Sequence, residues 1–256
     1  VSAAAEQLRT RFYNANPAWI NGTELFGRMV RQYLRPDMRI LNLGAGEGKT
    51  PLHFDQQVRT VVGLDPDESI AIHQKLSCKV RGVAQQLPFR DESFDLVYMD
   101  WVIEHLPSPS AMAAEVARIL KAGGHLLFRT GNLHHYSYRV ASLTPHFFHE
   151  YVGRTLFGEA EAHVYPTFYR MNTAAKVRET MQSAGLVEEQ LTMLEPDPAY
   201  VGMSRLTFLL GVAYERLVNR FELLGPLRAN ILGCFRKTVR TEGHYGRRPS
   251  RQDLPQ

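Results

Sequence analysis

Ile40 to Thr50 reads I-L-N-L-G-A-G-E-G-K-T, a short apolar strand running straight into a turn with glycine at 44, 46 and 48. Glycine takes positive φ without strain and puts no Cβ in the way of a ligand lying on the backbone. The exposed N–H groups of such a turn, with those of a helix start after it, attract anionic groups. A second apolar strand, V-V-G-L-D, ends at Asp65, twenty-one residues beyond Gly44. That interval suits one strand, turn, helix and next strand, and it sets a carboxylate at the neighbouring strand tip, where it would accept hydrogen bonds from both hydroxyls of a ribose.

Three cofactor classes use a turn of this kind, and spacing separates them. The G-K-T at 48–50 does not complete a Walker loop, because Gly44 leaves three residues before Gly48 where four are needed. The dinucleotide fingerprint fits poorly as well, since its third glycine would stand at position 49, which is lysine. G-x-G-x-G before an acidic strand end remains. Further stretches follow in order: G-V-A-Q-Q-L-P-F-R-D-E-S-F-D-L-V-Y-M-D at 82–100, W-V-I-E-H-L from 101, an amphipathic helix predicted over 110–120, L-K-A-G-G at 120–124 and a strand L-L-F-R-T.

Taken together, residues 38–131 resemble the motif series of the class I S-adenosylmethionine (SAM) methyltransferases. The resemblance implies an α/β, Rossmann-like seven-stranded sheet whose last strand is antiparallel, with SAM as cofactor and S-adenosylhomocysteine as product. It assigns the cofactor to Gly44, Ala45, Gly46, Gly48, Asp65, Pro66, Ala84, Gln85, Asp100 and Trp101. The backbone of Ala84 would face adenine, with Gln85 beside it. The family commonly carries an aspartate just before that alanine to bond the adenine amino group, and here the position is Val83. Losing one such bond, worth about 1 kcal/mol, weakens binding several-fold without abolishing it. Leu87, Pro88 and Phe89 equally suit ordinary core and turn packing. Asp100 and Trp101 would overlook the sulfonium, the indole offering a cation–π face, though a large aromatic there also reads as core. Glu104 and His105 read as local helix-start groups, with substrate contact as the alternative.

The chain of 256 residues, 44% of them hydrophobic, is long enough for one such domain with a modest insertion. The expected layout is a single domain over 1–240 with an N-terminal helical cap (1–36), a substrate lid insertion (132–170), an inserted amphipathic helix (200–225) and a polar tail (241–256). Helices are predicted over 4–13 and 22–34, and Phe12 and Tyr13 are candidates to close over the cofactor, or to pack on the sheet. A helix over 172–183 with Gly185 as its cap, a strand over 186–193, a helix over 201–224 and a final strand over 229–237 complete the fold. In the long helix Leu206, Leu209, Ala213, Leu217, Phe221 and Leu224 recur at helical spacing. That stripe is expected to pack on its own domain; with Arg205, Arg216 and Arg220 nearby, the alternatives are a peripheral membrane contact through 200–240 or a homodimer.

Between Asn132 and Arg170 stand five histidines, five tyrosines and four phenylalanines, an aromatic and imidazole-rich stretch where an acceptor pocket belongs. Its block R-V-A-S-L-T-P-H-F-F-H-E resembles a methyltransferase subgroup of polysaccharide and secondary-metabolite clusters. The substrate candidates are Tyr136, His146, His149 and Tyr169. His134 and His135 are the catalytic candidates, as a base for a hydroxyl acceptor; a carboxylate acceptor would need none. His146 and His149 lie at i,i+3, but no third ligand follows at a convincing spacing, so no metal is expected. Only Cys78 and Cys234 occur, which suits a reducing cytoplasm, and neither a signal-peptide core nor a bilayer-length apolar run is present. Net charge is +4, with +6 from Tyr200 onward and −2 before it. No N-P-P-Y-type tetrapeptide or Pro-Cys pair is present, so the acceptor is expected to be a small molecule and not nucleic acid. Methylation is expected at oxygen, on a hydroxyl or carboxylate of a secondary metabolite or sugar; a methyltransferase of a lipid-linked or membrane-associated substrate, a SAM-fold binding protein without turnover and a nicotinamide oxidoreductase stand as the competing readings.

Overall fold

The computed structural model describes residues 3–16, 19–143, 165–198, 201 and 204–238. Its elements are α1 (Ala3–Arg9), α2 (Gly22–Arg31), β1 (Arg39–Leu43), β2 (Thr60–Asp65), β3 (Cys78–Arg81), β4 (Phe94–Asp100), α3 (Pro109–Ile119), β5 (Leu120–Gly131), α4 (Tyr136–Leu143), α5 (Ala174–Ser183), β6 (Leu186–Leu194), α6 (Arg205–Arg220) and β7 (Asn230–Lys237). The seven strands form one sheet in the order β3-β2-β1-β4-β5-β7-β6. β1 to β5 pair in parallel, and β7 runs antiparallel to both β5 and β6. The fold is the class I methyltransferase sheet, with α6 between the last two strands in sequence.

The central strands are apolar on both faces because both faces are covered. Alternation along each strand divides the core: Leu41, Leu43, Val62, Leu64, Val97 and Met99 join α3 and α5 through Met112, Val116, Val177 and Met181. Ile40, Val61, Leu96 and Tyr98 instead meet Phe26, Met29 and Val30 of α2. A third cluster of Ala5, Tyr13, Phe208 and Val212 ties α1 to α6.

Three expectations need correction. No helix joins β1 to β2; residues 51–59 run as turns, and Leu52, Phe54 and Val58 fill the α2-side core from a non-helical spacing. The long helix is shorter than periodicity suggests, because Ser204 caps it, accepting from Thr207 N–H at 3.2 Å, and the chain leaves helical geometry at Phe221. Most consequentially, its stripe faces outward. Leu206, Leu209, Leu217 and Phe221 are exposed, and Phe208, Gly211, Val212 and Val218 make the buried face. Of the insertion, α4 and the strap 165–170 are described; His146 and His149, and the tail after Thr241, lie outside the described residues.

Candidate active site

The strand order reverses at β1, which has β2 on one side and β4 on the other, so a crevice opens between the carboxyl ends of β1 and β4. Open α/β sheets bind ligands at such a point. The glycine turn sits on it, with φ of +81° at Gly44, +51° at Gly46 and +85° at Gly48. The N–H groups of Gly44 and Ala45 both donate to the Leu64 carbonyl, at 2.8 and 3.2 Å, fastening the turn to β2. A Cβ on Gly44 would stand 2.3 Å from Val102 Cγ2, and one on Gly48 would stand 2.9 Å from the His73 ring. One on Gly46 would meet nothing within 4 Å. The turn is packed at both ends and open in the middle, which is the shape a cofactor resting on Gly46 requires.

Asp65 is buried at the tip of β2, and its carboxylate holds the turn itself: Oδ2 accepts from Gly46 N–H and Oδ1 from Asp67 N–H, both at 2.8 Å. Each oxygen keeps another acceptor site, so the same group can also take a ribose hydroxyl. The carbonyl of Pro66 accepts from Arg81 Nε at 3.1 Å. Past β3, a bridge between Val83 and Gln86 makes a tight turn in which Ala84 is buried, Gln85 partly buried and Val83 47% exposed. An adenine ring lying there would cover an apolar side chain that water now reaches. Tyr165 stands nearby: burial and a hydrogen bond to Asp67 push its hydroxyl up to about 12. The strap carrying it is bound to the end of β4, since Phe168 and Tyr169 N–H both donate to the Glu104 carbonyl, at 2.7 and 3.3 Å, and His105 Nδ1 lies 3.0 Å from the Pro166 carbonyl.

Asp100 does not stand free at the end of β4. Arg129 of β5 grips it bidentately, Nε to Oδ1 at 2.6 Å and Nη2 to Oδ2 at 2.8 Å, and Nη2 also donates to Thr23 Oγ1 at 3.0 Å. Burial pushes the Asp100 carboxyl above its ordinary value, and the guanidinium works against that rise. Trp101 has φ +57°, and its indole already has a cation near its face, the Arg129 guanidinium at 5.1 Å. The ring stacks with Tyr138 at 6.4 Å between centroids, and Tyr138 meets Tyr169 at 6.4 Å. Trp101 and Arg129, with Gly22, Thr23, Pro51, Asp197 and Asn230, line a cavity of about 480 Å³ at this edge of the sheet. Arg9 and Asp197 pair across its rim at 2.5 Å, which brings the N-terminal helical segment to this cavity through Arg9. Phe12 and Tyr13 do not approach it: Tyr13 donates to Glu215 Oε2 at 3.1 Å and packs on Phe208, and Phe12 lies under Arg216.

Behind Trp101 lies a buried polar chain. Asn172 Nδ2 donates to Thr130 Oγ1 and Thr130 Oγ1 donates to Glu104 Oε2, each at 2.8 Å. Burial raises the Glu104 carboxyl above its ordinary value, and burial followed by the Glu104 charge raises the Tyr138 hydroxyl. The two histidines expected at the acceptor are separated. The His135 side chain is fully enclosed: Nε2 is 3.5 Å from Glu195 Oε1, Nδ1 is 2.7 Å from Ser137 Oγ, and Tyr136 and Tyr214 pack on the ring. His134 is exposed and opens on a second cavity of about 520 Å³ with Arg178, Met193, Glu222 and Arg228, which no cofactor-cradle residue lines. Tyr136 packs against Tyr214 at 5.0 Å. Arg129 and Glu195 were unread in sequence; an arginine inside the apolar run L-L-F-R-T was the available signal, since such a residue is buried only with a partner. Among the described residues no group of three His, Cys, Asp or Glu is arranged to hold a metal ion.

Residues 41–128, the part of the chain that builds this cradle, match the model of a methyltransferase domain. The chain carries a methyltransferase domain over this stretch, which supports a class I SAM-dependent methyltransferase. An uncharacterized methyltransferase of Bacillus subtilis is 30% identical over 125 residues, covering 45% of this chain and 49% of that relative. The ubiquinone biosynthesis O-methyltransferase of Coxiella burnetii is 26% identical over 204 residues, 77% of this chain and 76% of that one. Among solved structures, the putative methyltransferase of Haloferax volcanii in complex with the Trm112 activator superposes with a TM-score of 0.58 at 18% identity, over 84% of this chain and 89% of that chain. At that identity the likeness concerns the methyltransferase fold.

Proposed function

We propose that the protein transfers the methyl group of SAM to a hydroxyl oxygen of a small, ring-bearing acceptor, leaving S-adenosylhomocysteine. The observation that carries this reading is the glycine cradle open at Gly46 at the β1/β4 switch point; Trp101, just past the end of β4, and Arg129 wall a cavity on the same carboxyl side of the sheet. The O-methylation named for the Coxiella burnetii relative supports oxygen as the accepting atom and a quinone precursor as the first acceptor to try. The free cysteines, Cys78 exposed and Cys234 buried, support a reducing, cytoplasmic setting.

When bound, SAM supplies a methyl group on a sulfonium, open to in-line displacement without a covalent enzyme intermediate. Asp65 would hold the ribose while Ala84 and Gln85 border the adenine. Trp101, Tyr138 and Tyr169 give flat faces against which an acceptor ring is oriented, and orientation is the chief task in such a displacement. Tyr165 and its strap screen the crevice from water. A hydroxyl acceptor must also lose a proton. His134 faces another cavity and both ring nitrogens of His135 are engaged, by Ser137 and Glu195, so we assign that proton to Glu104: Oε2 accepts from Thr130, and burial has raised its affinity for a proton. The reading without turnover draws on Val83, which leaves adenine with one bond fewer.

Calorimetry with S-adenosylhomocysteine beside reduced nicotinamide dinucleotide tests the cofactor, with Asp65→Asn and Asp65→Ala as controls. Binding of the homocysteine product alone, weakened in both variants, supports the reading, and labelled methyl transfer to catechol and phenol acceptors then tests turnover. Binding of the nicotinamide instead, or no transfer to any acceptor in a broad panel, would overturn it.

A further inference from the structure

α6 presents to solvent a face that a folded domain has no reason to keep apolar. Along one side stand Leu206 (68% exposed), Leu210 (62%), Leu217 (50%) and Phe221 (53%), with the exposed Ala213 at the turn between Leu210 and Leu217, flanked by Leu209 and continued by Leu223, which is 91% exposed. Scattered exposed leucines need no explanation, but a continuous row along one helix marks a contact surface. The charges are ordered too. On a helical projection Arg205, Arg216 and Arg220 all fall along one margin of the row, and all three are exposed. Arg205 and Arg220 make no ion pair among the described residues, and Arg216 lies only over the Phe12 ring. Glu215, the one acid on α6, points inward to Tyr13 and Asn219.

We propose that this face docks on an anionic lipid surface, the helix lying in the plane of the bilayer with its leucines among the acyl chains and its arginines on the phosphates. The charge decides between occupants. A second copy would bring the same unpaired arginines toward its own, whereas anionic headgroups answer every one of them, and a leucine row with a basic margin is the composition of an interfacial helix. Among the described residues no helix is long and apolar enough to cross a membrane, so contact by this helix would be lateral. The placement has a use. The inner face of α6 carries Gly211, where a Cβ would come within 2.5 Å of Pro198, next to Asp197 on the cavity rim. Docking by the outer face would therefore hold the acceptor side of the molecule close to the lipid. The inference does not rest on the methyl-transfer reading, since membrane binding needs neither SAM nor acceptor.

The test is flotation of the full chain with vesicles of phosphatidylglycerol and phosphatidylcholine in equal parts, against phosphatidylcholine alone. Binding to the anionic vesicles only is expected, reduced at least about tenfold in Leu210→Asp/Leu217→Asp and reduced again, with a flatter salt dependence, in Arg205→Glu/Arg220→Glu. Circular dichroism and S-adenosylhomocysteine binding, both unchanged, show that the variants are folded. Absence of binding, or binding indifferent to the two leucines, overturns the proposal. So does sedimentation velocity showing a dimer that Leu210→Asp/Leu217→Asp dissolves without any effect on vesicle binding.

Discussion

The two halves of the sheet hold their ligand-facing edge together by different means. On the β1–β3 side the work is done by backbone: three glycines at positive φ, N–H groups donated to Leu64 and Asp65, and one carboxylate that accepts from residues two and nineteen positions away. On the β5–β7 side it is done by side chains paired across long separations, Arg129 with Asp100, Thr130 with Glu104 and His135 with Glu195. The first kind of site is written in consecutive residues. The second exists only after folding, and the two should fail differently when altered.

The largest effect is expected where a buried charge is stranded. Arg129→Met leaves Asp100 buried beside an apolar chain and should cost about 3–5 kcal/mol in chemical denaturation. Arg129→Met combined with Asp100→Leu should recover most of that loss, because no charge then remains to be solvated. A double variant as unstable as the single one would mean that Arg129 matters for packing against Trp101 and Phe26, and that the acceptor half is held by shape as well.

On the cofactor side, Gly44→Ala combines a left-handed residue with a Cβ 2.3 Å from Val102 Cγ2 and should cost about 3 kcal/mol. Gly46→Ala is the sharper comparison. Its φ of +51° costs about 1 kcal/mol, and its Cβ meets no protein atom, so most of its effect should appear as lost S-adenosylhomocysteine affinity. Equal losses of stability and affinity in the two variants would remove the argument that the turn is packed at its ends and open at its centre.

Much of the β1–β4 part of the fold was legible because each of its signals is local. The strand endings at Leu43, Asp65 and Asp100 follow from apolar runs punctuated by glycine and acid, whereas the sheet around them was implied only by the family resemblance. The helix expected after the glycine turn was not found, since Leu52, Phe54 and Val58 reach the core from an irregular path that no periodicity announces. In α6 the spacing was read correctly and its direction was not. Period alone gives a stripe, and only the partner, here Tyr13 and Ala5 against Phe208 and Val212, decides which stripe is inside. The stretch after β5 was legible only as an enrichment in aromatics and histidines, and which imidazole meets what depended on Glu195, sixty residues beyond His135.

Glu104→Gln should lower turnover about 100-fold or more while leaving cofactor affinity in place. The carboxyl is raised by burial, so the acid limb of the wild-type rate profile should lie above the ordinary glutamate range and flatten in the variant. The sign for stability is opposite. A carboxyl whose folded pKa is raised contributes stability that is present at low pH and lost as pH rises through the folded value. Glutamine should therefore stabilise the protein more at neutral pH than in acid. Loss of turnover with loss of stability at neutral pH would instead make Glu104 a structural partner of Thr130.

The smallest effect is expected at His134, and it tests the comparison from the sequence side. His134 is exposed, its backbone N–H is held by Asn132 Oδ1 at 3.1 Å, and its cavity shares no residue with the cofactor cradle. An exposed side chain away from chemistry changes energies by about 0.5 kcal/mol or less, which is about twofold in rate. His134→Ala should accordingly leave turnover within about twofold of the parent. His135→Ala cannot serve here, because it would open a void among Tyr136, Tyr138 and Tyr214 and strip Glu195 of its partner, mixing stability with rate. A loss of a hundredfold in His134→Ala would mean that the acceptor reaches across from the aromatic wall to the second cavity. The acceptor half would then have been readable from its histidines after all, and Glu104 would yield its proton-accepting role to the imidazole.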